Sequence, residues 1–258
     1  MYYYLVQSGM TDNNQLTEIF DRCKKAGLQG VRFDIADKKL NLAFPKLDAD
    51  TNTLVLIGSD FFFENALWHY RNQTSLGFGY VPADFNSPIA QDLKLLNLGI
   101  AINTIKARKI MSYQPMQVNN SYVLFRLELT SPHGKPQLLQ LRLDKQLQVQ
   151  ADIQKLVTLY HPSHPFANAH QFEIEGFVTT AIEQNTPKNP LNLPFPLRDN
   201  NETKLLFRLP AETATIQSPN VDLETPSGFR YSSPITIQLS QIKLRLITPK
   251  DAPQNLHQ

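Results

Sequence analysis

The sequence has little of what secreted, membrane-spanning and nucleic-acid-binding proteins need. It contains one cysteine, Cys23, in 258 residues, which excludes an internal disulfide and predicts a protein of the reducing cytoplasm. No apolar run approaches the roughly 18 residues of a spanning helix, and Met1–Val6 lacks the basic start of a signal peptide. The net charge is only +2, so composition offers no large basic surface for nucleic acid.

The first hundred residues alternate the periods of strands and helices. Leu54–Ile57 is an all-apolar run, typical of a parallel strand buried on both faces. Gly77–Val81 is a second short strand, and Ser87 followed by Pro88 is a helix start. An earlier helix, with Gly27 at its C-cap, is predicted from the spacing i, i+3, i+4, i+7 of Leu16, Ile19, Phe20 and Cys23. This alternation predicts a doubly wound α/β domain.

From about residue 104 the apolar period changes to two, which predicts antiparallel strands with one buried and one wet face. The alternating apolar residues are Leu139, Leu141 and Leu143; Phe172 and Ile174; Leu205, Phe207 and Leu209; Ile235, Ile237 and Leu239; and Ile242, Leu244 and Leu246. We therefore expect two domains: an α/β domain over residues 1–103 and a β-sandwich-like domain over residues 104–258. The pattern leaves open whether residues 235–258 return to the first domain.

Two segments interrupt the second half. Residues 185–203 contain four prolines and several asparagines, so we expect a loop or a sheet edge there. His161, His164 and His170 do not follow a recognised metal-ligand spacing, and a loop is favoured over a metal site.

The strand ending at Ile57 runs into Gly58-Ser59-Asp60-Phe61-Phe62, and Leu76–Pro82 leads into Ser87-Pro88-Ile89-Ala90. This order resembles the diacylglycerol-kinase catalytic family of the lipid-kinase and NAD-kinase-like superfamily, in which a strand–GGDGT–helix is followed by P-x-GT-x-ND-x-A. Near the end, Val221-Asp222-Leu223-Glu224 stands where the family has Asp-Gly-Glu, and Ser233–Leu239 and Lys243–Pro249 resemble its terminal strand pair. The resemblance implies an α/β nucleotide-binding domain followed by a β-rich substrate domain.

The resemblance also implies a set of site residues. Glu224 would be the general base that takes a proton from a lipid hydroxyl, with Asp222 beside it as a second catalytic acid. Asp60 and Asp222 would hold Mg²⁺, and Gly58, Ser59, Asp60 and Ser87 would contact ATP. The implied partner is a lipid or a membrane surface.

The departures from the family pattern favour a protein that has lost catalysis. The family's glycines let the backbone approach the nucleotide phosphates, whereas Ser59, Phe61 and Phe62 replace two glycines and a threonine. In the second motif Asp84 replaces a glycine and Phe85 a threonine. The N-terminal strand lacks the Asn-Pro that follows it in the family, and Gln7-Ser8-Gly9 stands there. We expect a lipid-kinase-like protein with eroded nucleotide motifs; the alternative is an active, divergent lipid kinase that transfers the γ-phosphate of ATP.

Other roles compete with catalysis for several of these residues. Asp60 would serve equally as the N-cap of a helix whose inner face carries Phe63, Leu67 and Tyr70. The phenylalanines at 61–63 fit core packing, with a plugged pocket or a lipid contact as the alternative. The basic residues of 106–109 fit a solvated edge, with contact to anionic lipid headgroups as the alternative.

Overall fold

The described residues fall into two compact units. The computed structural model describes residues 2–9, 13–38, 41–48, 51–132, 135–144, 146–160, 171–181, 201–218, 222–225 and 230–249. The first unit takes its described residues from Met1–Arg126, Tyr160–Gln171 and Thr236–Gln258, and the second from Leu127–Leu159 and Phe172–Ile235. The boundary at residue 104 falls inside a helix of the first unit, so these two units are used below.

Up to residue 123 the chain forms, in order, β1 (Tyr2–Gln7), α1 (Asn13–Lys25), β2 (Gly30–Ile35), β3 (Asp37–Lys38), β4 (Asn41–Leu42), β5 (Thr53–Gly58), α2 (Asp60–His69), β6 (Gly77–Pro82), α3 (Pro88–Asp92), α4 (Leu98–Ala107), β7 (Ile110–Tyr113), β8 (Met116–Val118) and β9 (Ser121–Val123). It continues with β10 (Arg126–Thr130), β11 (Gln137–Leu143), β12 (Leu147–Ile153), β13 (Lys155–Leu159), β14 (Phe172–Ala181), β15 (Asn201–Ala211), β16 (Thr213–Gln217), β17 (Leu223–Glu224), β18 (Arg230–Tyr231), β19 (Ile235–Leu239) and β20 (Leu244–Ile247). No helix among these described residues is long and apolar enough to cross a membrane.

The first unit is built on a sheet with the strand order β2-β1-β5-β6-β20-β7. Strands β1, β2, β5 and β6 are parallel, and Leu56 lies opposite both Leu5 and Tyr80. Every residue of β5 and β6 is buried, which explains why both strands lack alternating polar positions. Since the strands are parallel, the residues after β1, β5 and β6 meet at one edge of the sheet.

The helix predicted around Cys23 is confirmed as α1. Its inner residues Leu16, Ile19 and Cys23 are buried. Gly27 ends the helix with φ +78°, and the N–H of Leu28 donates to the carbonyl of Cys23 at 2.9 Å. Glycine suits this left-handed position because it has no Cβ.

β20 lies between β6 and β7 in the first sheet. Leu246 is opposite Phe78 of the parallel β6 and opposite Met111 of the antiparallel β7. The prediction that β19 and β20 form a terminal strand pair is wrong, because β19 pairs with β8. An alternating pattern specifies one buried face of a strand but not its partner, so the sequence left open that β20 returns to the sheet of the first unit.

The second unit consists of antiparallel strands, as their period predicted. One sheet has the order β15-β14-β13-β10-β17-β18, and β11 pairs with β12 on one side and β16 on the other. Leu139, Leu141 and Leu143 of β11 are each 1% exposed, so this alternation is confirmed.

Two strands of the second unit depart from the expected alternation. Glu173 and Glu175 of β14 were expected to be wet but are 7% and 6% exposed. Leu205 is predicted to be buried but is 41% exposed, and its neighbour Leu206 is 42% exposed, so neither face of β15 is covered at this point. Residues 201–203 of the segment predicted as a loop or a sheet edge belong to β15, which begins at Asn201 and lies at the edge of its sheet. Residues 182–200 and the three histidines at 161, 164 and 170 lie outside the described residues.

Candidate functional site

The carboxyl edge of the first sheet brings together three chain segments: the end of β1, the turn from β5 into α2, and the turn from β6 into α3. Gly58 ends β5 and lies opposite Pro82 of β6. A Cβ placed on Gly58 would lie 2.7 Å from Gln7 Oε1, 2.8 Å from Gln7 Cβ and 2.9 Å from Phe62 Cδ1. The space that glycine leaves open is therefore filled by two side chains of the protein itself.

Ser59 is the N-cap of α2, and its polar atoms bind within the protein. Its backbone N–H and its hydroxyl both donate to Gln7 Oε1, each at 2.9 Å, and its Oγ accepts from the N–H of Phe62 at 3.2 Å. The reading of Asp60 as the N-cap is wrong, since Asp60 is already the first residue of the helix. Two amides at the start of α2 are thus satisfied by side chains.

Asp60 ties the start of α2 to the start of α3. Its Oδ1 accepts from the Tyr80 hydroxyl at 2.8 Å and from the Ser87 hydroxyl at 2.7 Å. Its Oδ2 accepts from the N–H of Ile89, at the beginning of α3, at 3.0 Å. A carboxylate offers about four acceptor positions, so three of them are filled. A carboxylate beside the first amides of a helix also takes the place that a bound anion would use.

Ser87 is the N-cap of α3, as predicted, with Pro88 in the first turn. Its Oγ donates to Asp60 and accepts from the N–H of Ala90 at 3.4 Å. The structure therefore gives Ser87 a local role in the helix start and a link to Asp60.

The three phenylalanines in the turn do not share one environment. Phe62 and Phe63 are buried, and the ring of Phe63 stacks on Tyr80 with centroids 4.3 Å apart. Phe61 is half-buried. Phe62 and Phe63 therefore belong to the core, and burial raises the pKa of Tyr80, with Asp60 adding to the effect.

Glu64, which was not singled out from the sequence, lies one helical turn after Asp60. Its Oε1 accepts from the N–H of Leu124 at 3.0 Å. Burial raises the pKa of the Glu64 carboxyl to about 8, the bond from Leu124 opposes the rise, and the charge of Asp60 adds to it. No sequence motif indicates this residue, because its partner is 60 positions away.

The two acids expected to take part in catalysis belong to the second unit. Asp222 is exposed, just before β17. Glu224 lies in β17, where its carboxylate pairs with Arg230 and its carbonyl accepts from the Thr130 hydroxyl at 3.1 Å. Asp60 belongs to the first unit, so the proposed Mg²⁺ ligands do not come together within one unit. Over the described ranges, no group of three or more histidine, cysteine or acidic side chains is arranged to hold a metal.

The residues at the turn after β5 do not fit a phosphate cradle. A cradle requires open space beside glycine and free amides, whereas Gln7 and Phe62 fill the space at Gly58 and Gln7 accepts from the Ser59 amide. Asp60 fits a Mg²⁺ ligand poorly, since one acceptor position remains on its Oδ2.

Comparison with solved structures identifies the fold. A diacylglycerol kinase from Bacillus anthracis strain Sterne aligns with a TM-score of 0.63 and 12% identity, over 98% of each chain. A candidate diacylglycerol kinase from the same organism aligns with a TM-score of 0.67 and 10% identity, over 98% of this chain and 97% of that one. No family model matches the sequence, and no curated protein matches it. The chain has the fold of diacylglycerol kinases, which confirms the resemblance stated above.

Proposed function

We propose that this chain is a non-catalytic binding protein built on the lipid-kinase fold, with a lipid or a membrane surface as its ligand. The observation that carries the proposal is the closed turn after β5. Gln7 and Phe62 occupy the space beside Gly58, and the Ser59 amide donates to Gln7. A nucleotide phosphate would need that space and that amide.

The charges at the carboxyl edge of the first sheet also support a protein that does not bind nucleotide. The carboxylate of Asp60 accepts from the Ile89 amide at the start of α3, where a phosphate would otherwise bind. Asp84 is exposed on the adjacent turn. The stretches 58–65 and 82–92 contain no lysine or arginine. A triphosphate brought to these two turns would meet the like charges of Asp60 and Asp84 and no base from either stretch.

The alternative is an active lipid kinase, and Glu224 is the observation in its favour. This acid stands where the resemblance places the general base, and it is only partly exposed. Its side chain pairs with Arg230, and glutamate is among the residues that serve as general bases. Catalysis would still need ATP and Mg²⁺ to bind after Gln7 and Phe62 had moved away from Gly58.

Calorimetry with ATP, with and without Mg²⁺, separates the two functions. The proposal predicts no heat of binding in protein that unfolds cooperatively in a parallel melt. Mg²⁺-dependent binding in the micromolar range, about −8 kcal/mol, would contradict it. Transfer of phosphate from ATP to a lipid alcohol that is lost in Glu224→Gln would establish the kinase instead.

The Gln7→Ala variant tests directly whether the turn after β5 is closed to phosphate. It frees the Ser59 amide and removes the side-chain atoms next to Gly58, while Phe62 stays in place. Asn72→Ala is a suitable control, because Asn72 is exposed after α2. If Gln7→Ala gains affinity for pyrophosphate and Asn72→Ala does not, Gln7 closes a phosphate site that is otherwise intact. If neither variant binds, Phe62 and Asp60 are sufficient to close it.

A further inference from the structure

Arg108 has an unusual backbone conformation for its residue type. It is the C-cap of α4 and has φ 48° and ψ 34°, in the left-handed region. Helix ends of this kind are usually glycine, because any Cβ is strained there. An arginine at such a position costs stability, and strained residues of this kind often lie at binding sites.

The side chain of Arg108 lies at the amino edge of the first sheet. Its Nη2 donates to Asn52 Oδ1 at 3.3 Å, and its guanidinium lies 5.8 Å from the ring centre of Tyr2. Asn52 immediately precedes β5, and its carbonyl accepts from the N–H of Gly77 at the start of β6. The guanidinium is therefore held near the beginnings of β1, β5 and β6.

Arg245 brings a second guanidinium to the same edge. It lies opposite Gly77 in the pairing of β20 with β6, and its Nη1 donates to the carbonyl of Ser75 at 2.6 Å. Gly77 therefore lies beside both arginines: its N–H donates to Asn52, which binds Arg108, and Gly77 itself lies opposite Arg245. Lys106, exposed in the last turn of α4, adds a third positive charge.

These three bases, Lys106, Arg108 and Arg245, are called the basic edge below. None of the three forms an ion pair with a carboxylate in the part of the chain that the structure describes. The dipole of α4 favours a base near its C-terminus and accounts for Lys106. It accounts neither for Arg245, which is on a strand, nor for arginine in place of glycine at position 108.

We propose that the basic edge docks the protein on a bilayer that contains anionic lipids. This inference rests on the proposed function, which makes a lipid or a membrane surface the ligand. The charge favours a bilayer because each base near an anionic surface adds about 1 kcal/mol, about fivefold in partitioning. A bilayer is chosen over a nucleic acid because specific binding of nucleic acid uses a larger basic footprint.

Vesicle sedimentation tests the proposal, using phosphatidylcholine vesicles with and without phosphatidylglycerol at low salt. Wild-type protein should sediment only with the anionic vesicles. Arg108→Gln with Arg245→Gln should lower the partition coefficient about 25-fold, at about fivefold for each base. The matched control is Lys135→Gln with Lys204→Gln, which removes the same charge from exposed positions of the second unit and should leave binding unchanged.

The Arg108→Gly variant separates docking from structure. Glycine relieves the left-handed strain, so the variant should resist urea at least as well as wild type while partitioning about fivefold less. If it is less stable and binds vesicles as wild type does, Arg108 serves the fold and the proposal fails. Arg108→Lys with Arg245→Lys should retain docking, because a bilayer responds to charge and not to guanidinium geometry.

Three other outcomes would also overturn the proposal. These are no binding to anionic vesicles, equal loss in the control pair, and displacement from vesicles by inorganic phosphate, which would indicate a discrete phosphate site. Tighter binding to a single-stranded oligonucleotide than to vesicles would point to nucleic acid instead. Calorimetry with ATP tests the carboxyl edge of the sheet, whereas the vesicle experiment tests the amino edge. A failed vesicle experiment therefore does not change the conclusion on nucleotide binding.

Discussion

Glu64 should make the stability of the protein fall as pH rises from about 5 to about 8. The pKa of its carboxyl is about 8 in the folded chain and 4.5 without the fold's influence. The folded state therefore holds its proton more tightly than the unfolded state. The stabilisation is complete below the unfolded pKa and is lost as pH rises through the folded pKa. At about 1.36 kcal/mol for each pH unit, the difference between these two pKa values corresponds to about 5 kcal/mol of stability in total.

The perturbation that isolates this effect is Glu64→Gln. Glutamine keeps a carbonyl that accepts from the Leu124 amide but does not titrate. The ionisable groups that face Glu64 are Asp60 on its own helix, Tyr80 on β6 and Tyr113 on β7. All three remain in the variant. The difference in stability between variant and wild type therefore reports Glu64 alone.

Urea unfolding of both proteins at about pH 5, 6, 7 and 8 measures that difference. The variant should match wild type within about 1 kcal/mol at pH 5 and exceed it by about 4 kcal/mol at pH 8. Glu18→Gln, at an exposed residue of α1 paired with Arg22, should follow wild type at every pH to within about 1 kcal/mol. Parallel curves for wild type and Glu64→Gln would refute the reasoning, because they would mean that the carboxyl is ionised in the folded chain.

Two further predictions concern packing and hydrogen bonding around β6. Gly79→Ala should lower the free energy of unfolding by about 1–3 kcal/mol, since the new Cβ would lie 3.1 Å from Ile105 Cγ1. Gly77→Ala should change it by less than about 1 kcal/mol, because its nearest contact is 3.5 Å; equal losses in urea would contradict this account. Tyr80→Phe should cost about 2 kcal/mol by removing a bond to the Asp60 carboxylate, and an unchanged urea midpoint would show that Asp60 does not need that bond.

The sequence correctly predicted the elements that are specified by residues within a few positions of one another. The stripe ending at Cys23, the glycine after α1 and the Ser87-Pro88 helix start depend on residues within a few positions. The buried run of β5 could be read in the same way, because a strand covered on both faces has no wet positions. These predictions are confirmed by α1, α3 and β5.

Features that depend on distant residues could not be predicted. The partners of Asp60 are 20 to 29 positions away, and the acceptor of the Ser59 amide is 52 positions away. Both residue types are good caps, so the sequence alone could not say which of them caps α2. Gln7 gave one usable signal, since it is a polar residue at the end of a buried strand, and it is 3% exposed.

Asp60 has a structural role in this chain that does not depend on phosphate or metal binding. Asp60 links α2, β6 and α3 through three hydrogen bonds, so an aspartate is required at this position even where no metal binds. Glycine at position 58 is required by Gln7 and Phe62, which approach within 3 Å of where its Cβ would be. Gly58 and Asp60, the two residues of the first motif that match the kinase family, therefore each have a role in the fold itself. Their presence is therefore not evidence for ATP binding, and calorimetry with ATP and the Gln7→Ala variant test whether this turn is closed to phosphate.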